Sequence, residues 1–129
     1  MKDHPRLPES ELDIMLVIWD LGDQAAAPAI LERLERPLTA SALHSYLKRL
    51  EDKGYLTCTK EGKTNRYTPL VSREEYQRQE GKTILGKLYK GSLKRFAAAL
   101  HDGGALDKSD VKELRAYLER NLRPGEAVE

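Results

Sequence analysis

Residues 39–69 constrain the fold of this chain most, because a helical period stops there at a glycine and a strand period begins at once. From Ala40 to Lys53, Leu43, Leu47 and Leu50 recur three and four apart as one apolar stripe, with Tyr46 at its margin. Thr39 is a good N-cap, and Gly54 can supply the left-handed turn that closes the helix. Leu56–Lys60 and Asn65–Thr68 then carry β-branched and aromatic residues in rough alternation. Glu61-Gly62-Lys63 supplies the turn between them, and Pro69 ends the second run. The far side of the helix holds Ser41, His44, Ser45, Lys48 and Asp52. Small hydroxyls, an imidazole and a lysine make an unusual solvent face, since most carry mainly Glu and Lys.

The flanking sequence extends this order. Residues 9–21 read as a helix on Leu12, Met15, Leu16, Ile18 and Trp19, with Ser10 as N-cap, Asp13 as its capping-box partner and Gly22 as terminator. Ala25–Ala27 suggests a short strand, and 28–35 a second helix that opens on Pro28 and turns Ile30, Leu31 and Leu34 inward. Past Pro69, Ser72 can cap a helix starting at Arg73, and 73–100 keeps a helical period with a break expected near Gly91–Ser92. Gly103-Gly104 reads as a loop, Asp107 and Asp110 open a last helix, and residues 123–129 read as a frayed tail. Helix, helix, helix, hairpin is the order of a winged helix-turn-helix. The expected fold is therefore mostly α with a small β wing: a winged domain in residues 1–71 and a helical dimerisation domain in 72–129.

In such a domain the third helix enters the major groove of DNA and the hairpin is the wing. The residues placed to do so are Thr39, Ala40, Ser41, His44 and Ser45 near the helix start, then Lys48 and Arg49. The free N–H groups after Thr39 also suit a phosphate. In the wing, taken as 57–68, Lys60, Lys63 and Arg66 crowd a short turn beside Thr64 and Asn65, which suits the phosphate backbone or a minor groove. The alternative for the helix is an ordinary solvated face, and for the hairpin a turn whose charges protect a sheet edge. Trp19 reads as core, whereas Tyr67 fits either against the first helix or on the wing. Cys58 reads as a small strand residue, with no His or second Cys near in sequence to make it reactive.

The tail carries a long apolar stripe: Leu85, Leu88, Tyr89, Leu93, Phe96 and Leu100, then Val111, Leu114 and Leu118. This is too much to bury within a lone monomer, so a two-fold dimer interface is expected, the alternative being packing back onto the winged domain. Lys82, Lys87, Lys90, Lys94 and Arg95 run without an acid between them. They form either a solvated outer face or a second surface near DNA.

Composition removes other classes. The chain has 129 residues, 40% apolar and 33% charged, and 22 basic against 21 acidic residues leave a net charge of +1. That average hides a segregation: residues 1–47 hold four bases and eight acids, and 48–66 hold six and three. A near-neutral protein can bind DNA through such a stripe. The longest apolar run, Ile14 to Trp19, is far short of a membrane span, and the N-terminus has no apolar core of a secretory signal. A single cysteine fits a reducing cytoplasm. His4, His44, His101 and Cys58 lie too far apart in sequence for a metal-ligand cluster, no glycine-rich phosphate loop is present, and no cofactor is expected. Two other uses of the fold stay open: a winged helix for protein contacts only, and a regulator holding a small effector. An enzyme is the weakest reading.

Longer segments carry a resemblance. Leu7-Pro8 leading into SELDIMLVIWDLG, then PLTASALHSYLKRLEDKGYL, EGKTNRYTPLVSREEY and GKLYKGSLKRFAAAL, closely resemble the penicillinase and methicillin-resistance repressors (BlaI/MecI type) over about residues 7–120. The resemblance implies a homodimeric repressor whose winged domain binds an inverted-repeat operator and whose C-terminal helices hold the dimer. It puts Ser41, Ser45 and Lys48 where the recognition helix meets DNA, and Arg66 in the wing. In antibiotic-responsive members a membrane-bound sensor metalloprotease triggers cleavage in the tail. The family's Asn-Phe scissile pair falls at Ala99-Leu100 here, and the tail lacks the cysteine cluster of the copper-responsive branch.

Overall fold

A computed structural model describes residues 4–122. Six helices and three strands follow one another as α1 (Glu9–Leu21), β1 (Ala25–Ala26), α2 (Ala27–Arg33), α3 (Ala40–Asp52), β2 (Leu56–Glu61), β3 (Thr64–Pro69), α4 (Arg73–Tyr89), α5 (Leu93–Asp102) and α6 (Lys108–Asn121). The sheet is antiparallel with order β1-β3-β2. Among the described residues no helix is long and apolar enough to cross a membrane.

Several ends differ from the sequence reading. Helix α1 starts at Glu9 with Pro8 as N-cap and no side-chain cap, so Ser10 lies inside the first turn and does not cap. Helix α2 runs from Ala27, with Pro28 in its first turn, but stops at Arg33, two residues short of the expected end. Helix α3 ends at Asp52, with Lys53 as C-cap. The hairpin closes more tightly than expected: Glu61 pairs with Thr64, leaving only Gly62-Lys63 in the turn, with Gly62 at φ 63°. The expected frayed tail, 123–129, lies outside the described residues.

The chain divides into two compact units after Lys82. The first unit is built on one core. Ile14, Met15 and Ile18 from α1, Ile30 from α2, and Leu43, Leu47 and Leu50 from α3 are essentially inaccessible, joined by Tyr55, Leu56, Tyr67 and Val71. Burying a side chain of this size stabilises by about 1.5–3 kcal/mol. Tyr67 thus belongs to the core and not to the wing surface. Half-buried Trp19 packs at the core margin and donates its Nε1–H to the Val71 carbonyl at 2.9 Å. Tyr76, one turn into α4, is 5% exposed, which carries the start of that helix into the first unit.

The end of α3 is fixed by a two-bond C-terminal motif. The Tyr55 amide donates to Leu50 O at 2.9 Å and the Gly54 amide to Glu51 O at 3.0 Å, with Gly54 at φ 86°. A residue with a Cβ is strained in that conformation. The motif places Tyr55 and Leu56 in the core immediately after the helix, so α3 and the hairpin are held by the same residues.

The second unit holds the rest of α4, α5 and α6. Helix α4 stops where Lys90 and Gly91 both take left-handed backbone, at φ 51° and 78°, and the Ser92 hydroxyl then caps α5. Asp107 and Asp110 form a reciprocal capping box on α6, as the spacing predicts. Tyr89 and Phe96 stack at 4.9 Å between ring centroids. No described residue from 83 to 122 is buried.

Candidate nucleic-acid interface

Helix α3 presents two opposite sides. Leu43, Leu47 and Leu50 face the core, while Ala40, Ser41, His44, Ser45, Lys48 and Arg49 are exposed. Ser41, Ser45, Lys48 and Asp52 stand at i, i+4, i+7 and i+11, a single outer row. Thr39 lies at the head of the row, and its Oγ1 caps the helix by accepting from the Ala42 amide at 3.0 Å, which leaves its O–H as a donor. Helix α3 carries no acid in its first turn.

The row is partly self-satisfied. The Ser45 hydroxyl donates back to the Ser41 carbonyl at 3.3 Å. The Lys48 ammonium lies 3.2 Å from Asp52, which holds its pKa above the ordinary value. The guanidinium of Arg49 sits 5.4 Å from the Tyr46 ring centroid, splayed to the side of the row. The reading of the helix as a set of DNA contacts left out the roles of Asp52 and Tyr46. Spacings of four and three residues were the signals that point to both.

The hairpin does not keep its three bases together. Lys60 pairs with Asn65 on the sheet face that also carries Leu56, Cys58 and Tyr67. Arg66 pairs with Thr59 on the opposite face, and Lys63 occupies the tip. Lys60 and Lys63 are exposed. Arg66 is half-buried: it donates from Nη1 to the Gln24 carbonyl at 3.3 Å, and its Nε lies 3.7 Å from Glu61. Its guanidinium therefore ties the outer face of the wing to the turn before β1. Gln24, in that turn, has φ 61° and donates its amide to Thr68 Oγ1 at 3.3 Å.

Beneath this surface lies an ion pair that the sequence reading missed. Glu11 on α1 is 3% exposed and accepts from Lys53 Nζ, at the C-terminal end of α3. A buried carboxylate needs such a partner. Their separation of 42 residues leaves no periodic signal in the sequence. Cys58 is half-buried and free, opposite Tyr67 in the ladder. Among the described residues no three His, Cys, Asp or Glu side chains are grouped to hold a metal ion.

Comparison with known proteins agrees with this architecture. The chain is 28% identical to the penicillinase repressor of Bacillus licheniformis over 123 residues, covering 94% of this chain and 95% of the relative. It is 23% identical to the methicillin resistance regulatory protein MecI of Staphylococcus aureus strain N315 over 116 residues, covering 88% and 94%. The solution structure of the DNA-binding domain of the repressor BlaI superposes with a TM-score of 0.51 at 29% identity, over 59% of this chain and 94% of that one. The family model described as penicillinase repressor matches residues 7–120, from the residue before Pro8 to the last turn of α6. With the winged helix in place and nearly the whole chain matched, this protein belongs to the penicillinase repressor family.

Proposed function

We infer that this protein is a transcriptional repressor that binds double-stranded DNA stoichiometrically, as a homodimer on an inverted-repeat operator. The observation that carries the reading is the outer row of α3. Its inner stripe is fully buried, so the helix is fixed, while Ser41, His44, Ser45 and Lys48 stand exposed on the opposite side. A helix fills the major groove, where serines bond to base edges or phosphates and the Ala40 methyl can pack on a thymine methyl. Lys60 and Lys63 on the hairpin suit the adjacent phosphates. The Lys48–Asp52 pair is exposed on both sides, so exchanging the carboxylate for a phosphate costs little.

The homodimer is supported by the second unit. Leu88 (71%), Leu93 (60%), Leu114 (50%) and Tyr117 (55%) remain exposed alongside Val111 and Leu122. Apolar surface of this extent on a monomer marks an interaction site. Leu85, Tyr89, Phe96, Leu100 and Leu118 are half-buried in the same unit, ready to be covered further. The membrane sensor metalloprotease is part of the same reading, on the family resemblance. Ala99-Leu100 lies within α5, so cleavage there requires that helix to unwind locally.

The test is a salt-titrated gel shift on the DNA upstream of the protein's own gene. The expected result is a specific complex whose affinity falls steeply as salt rises. Absence of any complex at low salt would favour a winged helix used for protein contacts.

A further inference from the structure

The arm that precedes α1 is bound along α4. The His4 amide donates to Gln79 Oε1 at 2.7 Å, and Gln79 Nε2 donates back to the His4 carbonyl. Arg6 forks onto both oxygens of Glu80, at 2.9 and 2.7 Å. The Leu7 amide donates to the Tyr76 hydroxyl at 3.2 Å, and the Tyr55 hydroxyl donates to the Pro5 carbonyl at 2.6 Å. The His4 ring lies 5.6 Å from that of Tyr55. Four consecutive residues thus make six hydrogen bonds, five to one face of α4 and one to Tyr55, three residues past the end of α3.

The sequence prepares both partners. Pro5 and Pro8 fix their own φ and bias His4 and Leu7 toward extended backbone, so the arm is ordered at low entropic cost. Tyr76, Gln79 and Glu80 stand at i, i+3 and i+4, one side of the helix. Tyr55 is fully buried, and that burial raises its phenol pKa, so it remains a neutral donor to Pro5.

The last link, Glu80, is followed at once by Gly81, and the chain divides after Lys82. Without the arm, Arg73 would still bond Leu16 and Asp20 and Tyr76 would still pack on Trp19 and Tyr55, so the free segment would begin just after Tyr76. With it, attachment extends about one further turn, to Glu80 and the glycine that follows it, which weakens the helix. We propose that the arm is a clasp, with Arg6, Gln79 and Glu80 as positioning residues. It sets where along α4 the rigid winged unit ends, and thereby how strictly a dimer discriminates the spacing between operator half-sites. The spacing part rests on the dimeric repressor reading above; the clasp itself does not.

The experiment compares the full-length protein with Arg6→Ala/Gln79→Ala, and with the charge swap Arg6→Glu/Glu80→Arg, by backbone hydrogen exchange and by gel shift. The probe is a duplex selected by the unmodified protein from a random-sequence pool, remade with its half-sites one or two base pairs closer and farther apart. In the double-alanine variant, amides 77–81 should exchange at least ten-fold faster while those of α1 and α3 keep their rates. Its preference among the spacings should fall at least three-fold, with binding to a single half-site unchanged. The charge swap, which keeps the pair with its polarity reversed, should match the unmodified protein in both. Unchanged exchange at 77–81 overturns the clasp, and faster exchange with full spacing preference overturns its role in selectivity. A protein that selects no duplex refutes the repressor reading instead, while the exchange data still decide the clasp. If the double-alanine variant does not fold, Arg6→Ala alone and Tyr55→Phe, which removes only the Pro5 bond, are read by the same criteria.

Discussion

Lys48 and Arg66 are both bases on the candidate interface, yet their surroundings give them different weights. Lys48 is exposed, and its one partner is the equally exposed Asp52. Lys48→Ala should leave thermal stability within about 0.5 kcal/mol. If the lysine meets a phosphate, the same change lowers the slope of log affinity against log salt by about 1, uniformly across DNA sequences. Arg66 is half-buried and holds the Gln24 carbonyl beside a left-handed backbone. Arg66→Ala should therefore destabilise the fold by about 1 kcal/mol as well as weaken binding. Denaturant melts of the two variants, set beside their gel shifts, separate these roles. Equal stability in both would show that the Gln24 contact is not structural.

At the scale of elements, the start of α4 shows how a local pattern becomes a pH response. The Ser72 amide donates to Glu75 Oε1 at 3.1 Å and the Glu75 amide to the Ser72 hydroxyl at 3.0 Å, a reciprocal capping box. The bond from the Ser72 amide chiefly holds the Glu75 carboxyl below its ordinary 4.5. A folded-state pKa below the unfolded one means that this stabilisation is fully present above the unfolded value. It is lost as pH falls through the folded value. Glu75→Gln should flatten the acid side of the stability profile between about pH 3 and 5, so that the variant is less stable than the unmodified protein at neutral pH and converges with it in acid. An unaltered profile, measured by urea melts across that range, would mean that the box contributes nothing to folding. Most element ends in this chain were legible from such short motifs: Thr39 on α3, Ser72 on α4, Ser92 on α5, Asp107 with Asp110 on α6. Ser10 misled because a helix can start one residue before a good cap when a proline already sets the entry.

For the whole molecule, the second unit is the part on which the proposed homodimer rests. No described residue from 83 to 122 is buried, as a unit completed by association requires. Leu114→Asp should give monomers in sedimentation at micromolar concentration and weaken operator binding at least ten-fold, because two linked half-site contacts become one. Retention of the dimer would place the interface elsewhere than the α6 stripe.

The sequence by itself determined the order of elements, the winged-helix class, the buried stripe of α3 and the outer row opposite it. Each follows from a period or cap within a few residues, and local geometry suffices to set it. Only the tertiary structure decided that Lys60 and Arg66 lie on opposite sheet faces, because strand register turns on a single residue. It also decided that buried Glu11 is paired with Lys53, and that residues 4–7 bind α4. These pairings join residues about 40 to 75 positions apart. No periodic pattern reports such contacts, since they exist only once the core has brought the elements together.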